Sequence, residues 1–87
     1  MAEALPERLR PLLDHQLAFE LAHLECLRVA DTDDARALDR ARAARMNAMR
    51  ALIAAREDAG ATSAEDRDAL KKAALAALTG QPTDPPR

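Results

Sequence analysis

The sequence predicts an all-α fold: an antiparallel helical hairpin with a shorter third helix that completes a three-helix bundle. Three observations predict it. Leucines recur at spacings of three and four from Leu13 to Leu27, the period of one helix face. Residues that start and stop helices bracket three segments, with both glycines, Gly60 and Gly80, at segment ends. No segment alternates apolar and polar residues as a half-buried strand does. The chain of 87 residues is read as one helical domain over 1–80 and a short tail.

The elements follow in order. Pro6 and Pro11 suit first-turn positions, and the residue before a proline avoids the α region. Arg10 is therefore expected to separate a short turn over 6–10 from a main helix over about 11–30. Asp31-Thr32-Asp33-Asp34 supplies capping oxygens and negative charge to a second helix over about 34–58, which stops at Gly60. Thr62 with Glu65, or Ser63 with Asp66, forms a capping box for a third helix over about 63–79, ended by Gly80 with Pro82 beyond. Residues 81–87, Gln-Pro-Thr-Asp-Pro-Pro-Arg, have no apolar side chain of core type and are expected to be disordered.

The first helix carries two apolar sets. Leu13, Leu17, Leu21, Leu24 and Leu27 form a broad stripe, read as the core face. Leu12, Phe19 and Cys26 are spaced by seven on a different side, flanked by Ala22, Val29 and Ala30. One face cannot bury both. Leu12, Phe19, Ala22, Cys26 and Ala30 are therefore the candidate partner-binding surface, with Phe19 as anchor, unless the third helix covers them. The second helix offers Leu38, Ala41, Ala48, Met49, Leu52 and Ala55, with Met46 and Ile53 along one edge; the third offers Leu70, Ala73, Ala74, Ala77 and Leu78. If the chain reverses near Thr32, Glu20 lies level with Arg45. These two charged intrusions are expected to form a partly buried ion pair across the hairpin, or else to snorkel separately to its rim.

Composition narrows the function. Alanine occupies 22 positions and Phe19 is the single aromatic residue, so the core is marginal and self-association would help it. Residues 1–34 carry eight acids against three arginines, whereas 35–56 carry six arginines against Asp39 alone. Two antiparallel helices of opposite sign attract each other, which explains the segmentation without a nucleic-acid site. The arginines make no single stripe and no aromatic platform accompanies them, so nucleic acid is not the expected partner. No stretch approaches the roughly 18 apolar residues of a membrane span, so no membrane association is expected. The lone Cys26 and the absence of signal-peptide character in residues 1–11 lead to the expectation of a cytoplasmic location. His15, His23 and Cys26 make a poor zinc pattern, and the Asp31–Asp34 run lacks the central glycine and final glutamate of a calcium loop. Ser63 is the only serine, and there is no glycine-rich phosphate loop. No catalytic, metal or cofactor-binding residue is assigned, no cofactor is expected, and the chain is read as no enzyme.

The stretch Leu27-Arg28-Val29-Ala30-Asp31-Thr32-Asp33-Asp34-Ala35-Arg36-Ala37-Leu38, continuing through Ala44-Arg45-Met46-Asn47-Ala48-Met49-Arg50-Ala51-Leu52, resembles small flagellar export chaperones of the FliT-like type. Those are helical hairpins with an acidic turn, a leucine shortly after it and an arginine near the middle of the second helix. The resemblance covers residues 12–56 and places Arg45 at that arginine. It implies a cytoplasmic bodyguard that masks an aggregation-prone helix of a secreted flagellar or type III substrate, using groove residues with the third helix as a movable cover. The expected function is thus a non-enzymatic helical chaperone or adaptor that takes a partner's amphipathic helix in a groove, or a second copy as a homodimer. The alternatives are a small dimeric regulator contacting nucleic acid through the arginine-rich second helix, and a structural subunit of a larger complex.

Overall fold

A computed structural model describes residues 5–80, and the tail expected over 81–87 lies outside them. The described chain is all-helical: a 3₁₀ turn, Glu7–Leu12, leads into α1 (Leu13–Ala30), followed by α2 (Ala35–Ala59) and α3 (Ala64–Thr79). The expected break at Arg10 does not occur. Pro11 is inside the 3₁₀ turn, which runs directly into α1. A proline there forgoes only the one bond an amide at position 11 would make to the Arg8 carbonyl, and its fixed φ still fits the turn.

Local chemistry sets each boundary. Thr32 Oγ1 donates to the Val29 carbonyl at 2.7 Å and accepts from the Asp34 amide, closing the turn after α1. Asp34 then caps α2 by accepting from the Ala37 amide at 3.0 Å. At the far end of α2, Gly60 takes φ 68°, the Ala61 amide reaches back to the Arg56 carbonyl at 2.8 Å, and the Gly60 amide reaches the Glu57 carbonyl at 3.2 Å. That pair of bonds is a Schellman motif, and its apolar residue Ala61 is fully buried. Of the two capping boxes open to α3, the structure uses Ser63, whose Oγ accepts from the Asp66 amide at 3.1 Å. The Asp66 carboxylate turns away from the cap to pair with Arg8 of the 3₁₀ turn, in a fork with contacts of 2.6 and 3.0 Å.

The core begins where these ends meet. Leu9, Leu12, Ala61 and Leu70 form a buried cluster, with Leu5, Ala55 and Ala69 packed around it. α3 packs on α1 and on the 3₁₀ turn but makes no close backbone approach to α2. Its buried positions are Asp66, Leu70 and Ala74, spaced by four, and Leu78 continues the row half-buried. The molecule is a plate of 43 × 38 × 17 Å with a radius of gyration of 14.6 Å, against about 12 Å for a compact chain of this length.

The expected core face of α1 is corrected. Leu21, Leu24 and Leu27 remain 53, 50 and 54% exposed, and Leu13 and Leu17 are half-buried. The buried positions are Leu9, Leu12, Gln16, Glu20, Cys26 and Val29, with Phe19 and His23 half-buried among them. The physical reason lies in the period. Positions 9, 12, 16, 19, 23 and 26 repeat by threes and fours in strict alternation, as do 38, 41, 45, 48, 52 and 55 on α2. Only such a seam stays in line with a facing helix along its length. The leucines step by four, four, three and three, so they drift around the helix. Seam residues Gln16, His23 and Arg45 are polar, which hides the seam from a count of apolar residues.

Candidate functional site

The first candidate surface does not survive the fold. Of the five residues expected to bind a partner, Leu12 and Cys26 are buried, Phe19 and Ala22 are half-buried, and Ala30 alone is exposed. The set belongs largely to the seam, and Leu12 also joins the cluster under α3. Phe19 stacks on His23 with ring centroids 6.2 Å apart and planes 13° from parallel.

The expected Glu20–Arg45 pair is also not formed. Glu20 is buried and accepts from the Gln16 Nε2 at 2.9 Å, one turn earlier on α1. Arg45 reaches His23 instead, with its Nη1 3.4 Å from the ring Nδ1, which acts as acceptor there. The two charged intrusions therefore find separate partners. Gln16 Oε1 is buried without a hydrogen-bond partner among the described residues.

The attraction expected between an acidic α1 and a basic α2 produces no ion pair among the described residues. The two salt bridges are Arg8–Asp66, which docks α3, and Glu25–Arg28, within α1. None of the six arginines of α2 has a carboxylate partner there. Arg36, Arg40, Arg42 and Arg50 are exposed; Arg45 and Arg56 are half-buried. Burial pushes the Arg56 guanidinium below its ordinary value, and the like charge of Arg67 adds to that.

What the hairpin leaves open is apolar. Besides Leu21, Leu24 and Leu27, the exposed large side chains are Met46 (53%), Ile53 (41%) and Leu75. A helix turns about 100° per residue, so the direction of each side chain can be counted from the seam. On that count Leu24 and Leu27 of α1, and Met46 and Ile53 of α2, lean to the same side of the hairpin. Leu21 lies at the outer edge. The opposite side carries a shallow hollow lined by Glu25, Arg28, Val29, Ala37, Arg40 and Ala41. α3 packs by the 3₁₀ turn at the start of α1, and the later leucines of α1 stay exposed with Met46 and Ile53 of α2. The site is thus a two-ridged apolar face flanked by arginines. Among the described residues no group of three or more His, Cys, Asp or Glu could hold a metal ion. No helix there is long and apolar enough to cross a membrane.

Comparison with protein-family models, with curated proteins and with solved structures finds no match to this chain. The fold class that stands is therefore an all-α helical hairpin with a third helix docked at one end. Sequence reasoning places Met46 and Ile53 at an edge and the α1 leucines in the core. The signal that separates surface from seam is the regularity of spacing, not the number of leucines.

Proposed function

We propose that this chain is a non-enzymatic protein-binding module, a small chaperone or adaptor that masks an amphipathic helix of a partner. The resemblance to FliT-like export chaperones makes a flagellar or type III substrate, met in the cytoplasm, one form of that partner. The observation that carries the reading is the exposed apolar face, with ridges on α1 (Leu21, Leu24, Leu27) and α2 (Met46, Ile53). Scattered apolar residues are ordinary on a surface, but two facing ridges match the groove in which an amphipathic helix buries its stripe. Methionines on such a face adapt to different side chains.

Site-specific photocrosslinking in the organism of origin tests this. A photoreactive residue at position 24 or 46 should give one recurrent protein adduct, whereas one at Arg36, on the outer side of α2, should not. Equal adduct patterns from all three positions would overturn the docking face. A second reading, contact with nucleic acid through α2, is favoured by four exposed arginines without carboxylate partners. Phosphate binding weakens steeply with salt, whereas groove binding responds little, so a salt titration separates the two.

A further inference from the structure

The order of residues along the α2 strip identifies the occupant of the docking face more closely, an identification that rests on the protein-binding function proposed for that face. Arg42, Met46, Met49, Ile53 and Arg56 follow one another at spacings of four, three, four and three, so they share one face, with an arginine at each end. The two arginines are 14 residues apart, about 21 Å along the helix. Neither is ion-paired among the described residues; Arg42, Met46 and Ile53 are exposed, Met49 is half-buried, and only the Arg56 end of the strip lies near α3. Arg56 is half-buried beside another cation, Arg67, and its charge is held against desolvation without a counter-ion.

We infer that this strip takes an acidic amphipathic helix of a different protein, one with a carboxylate at each end of a four-turn apolar stripe. Such a helix buries its apolar residues on Met46, Met49 and Ile53 while its terminal acids meet Arg42 and Arg56. A second copy of this chain fits less well. Its α1 ridge reads Asp14, the half-buried Leu17, Leu21, Leu24, Arg28 at matching spacing, but it has an acid at one end only. Laid on the strip in either direction, it sets Arg28 against an arginine. The exposed half of α3 offers no substitute, because Lys71 and Lys72 flank Leu75. Nucleic acid leaves the three apolar residues between the arginines unused.

The test uses the intact chain and two synthetic helical peptides of about 22 residues, identical in their apolar stripe. One carries Glu at the two flanking positions, 14 residues apart, and the other carries Lys. Fluorescence anisotropy should show the Glu peptide binding about tenfold or more tighter than the Lys peptide. Arg42→Glu, at an exposed position, should narrow or invert that preference, with the circular dichroism of the protein unchanged. Equal binding of both peptides would overturn the acidic partner and leave the docking face standing. Binding of neither by a chain that sediments as a dimer would overturn it in favour of a second copy. Binding of neither by a monomer would remove the docking face as well. Displacement of the Glu peptide by a 20-base-pair duplex in low salt, with no preference between the peptides, would assign the arginines to phosphate.

Discussion

At the scale of single residues, the interior of the hairpin is unusually polar for so small a core. Glu20 and Gln16 are both buried and satisfy each other through one bond, leaving Gln16 Oε1 without a partner. Removing one member of a buried polar pair strands the other, whereas removing both takes away the desolvation cost together. Gln16→Met alone should therefore destabilise the chain by about 1–3 kcal/mol. The double variant with Glu20→Met should recover most of that loss in urea unfolding, and additive costs would show that the two side chains do not depend on each other. Leucines divide just as sharply. Leu70 is 0% exposed in the cluster under α3, so Leu70→Ala should cost about 2–5 kcal/mol. Leu24→Ala, on the open face, should cost within about 0.5–1 kcal/mol. Equal losses at the two positions would mean that the leucine ridge of α1 is part of the core after all.

At the scale of elements, α3 is pinned most firmly at its beginning. The fork between Arg8 and Asp66 and the cluster around Leu70 fix its first half, while its second is held only by small or half-buried side chains, Ala74 and Leu78, with Leu75 exposed. Hydrogen bonds from the Arg8 guanidinium hold the Asp66 carboxyl below its ordinary value of 3.8. The folded chain thus takes up that proton at lower pH than the unfolded chain. The stabilisation is complete above about pH 4 and is lost as pH falls through the depressed value. Denaturant midpoints should fall on this acid limb, and Asp66→Asn should flatten the dependence; an unchanged profile in that variant would assign the acid sensitivity to other carboxylates. The junction into α3 can be probed separately. Gly60 has φ 68° with open space where a Cβ would stand, so Gly60→Ala meets backbone strain alone and should cost about 1–2 kcal/mol. Ser63→Ala should cost about 1 kcal/mol through the lost cap of α3.

At the scale of the whole molecule, the plate follows from a third helix whose backbone closely approaches only one of the other two. α3 has 16 residues and the hairpin helices have 18 and 25, so one side of the hairpin is covered at one end and open at the other. A closed bundle would bury Leu24, Leu27, Met46 and Ile53 and would be rounder. Small-angle scattering of the monomer should return a radius of gyration near or above 14.6 Å rather than about 12 Å. The smaller value would mean that α3 closes over the hairpin in solution. The helices themselves are legible in the sequence, because Asp34, Gly60, Ser63 and Gly80 act within a turn or two of their own positions. The face each helix buries is less legible. The α2 stripe can be read closely, since its apolar residues lie on the seam. The α1 stripe cannot, because Gln16 and His23 stand where the seam runs and leucines stand where it does not.

The sequence by itself determined that the chain is all-helical, where α2 and α3 start and stop, and that α1 has more apolar surface than one contact can bury. Caps, glycines and period act locally, so they can be read without knowing the fold. Tertiary structure alone decided which apolar set of α1 became core, that Arg45 meets His23 and not Glu20, and that the acids of α1 leave the arginines of α2 unpaired. Those outcomes depend on the register of two helices and on how far α3 extends across them. Both are set by packing between elements, where a strict seam outweighs a larger but drifting stripe of leucines.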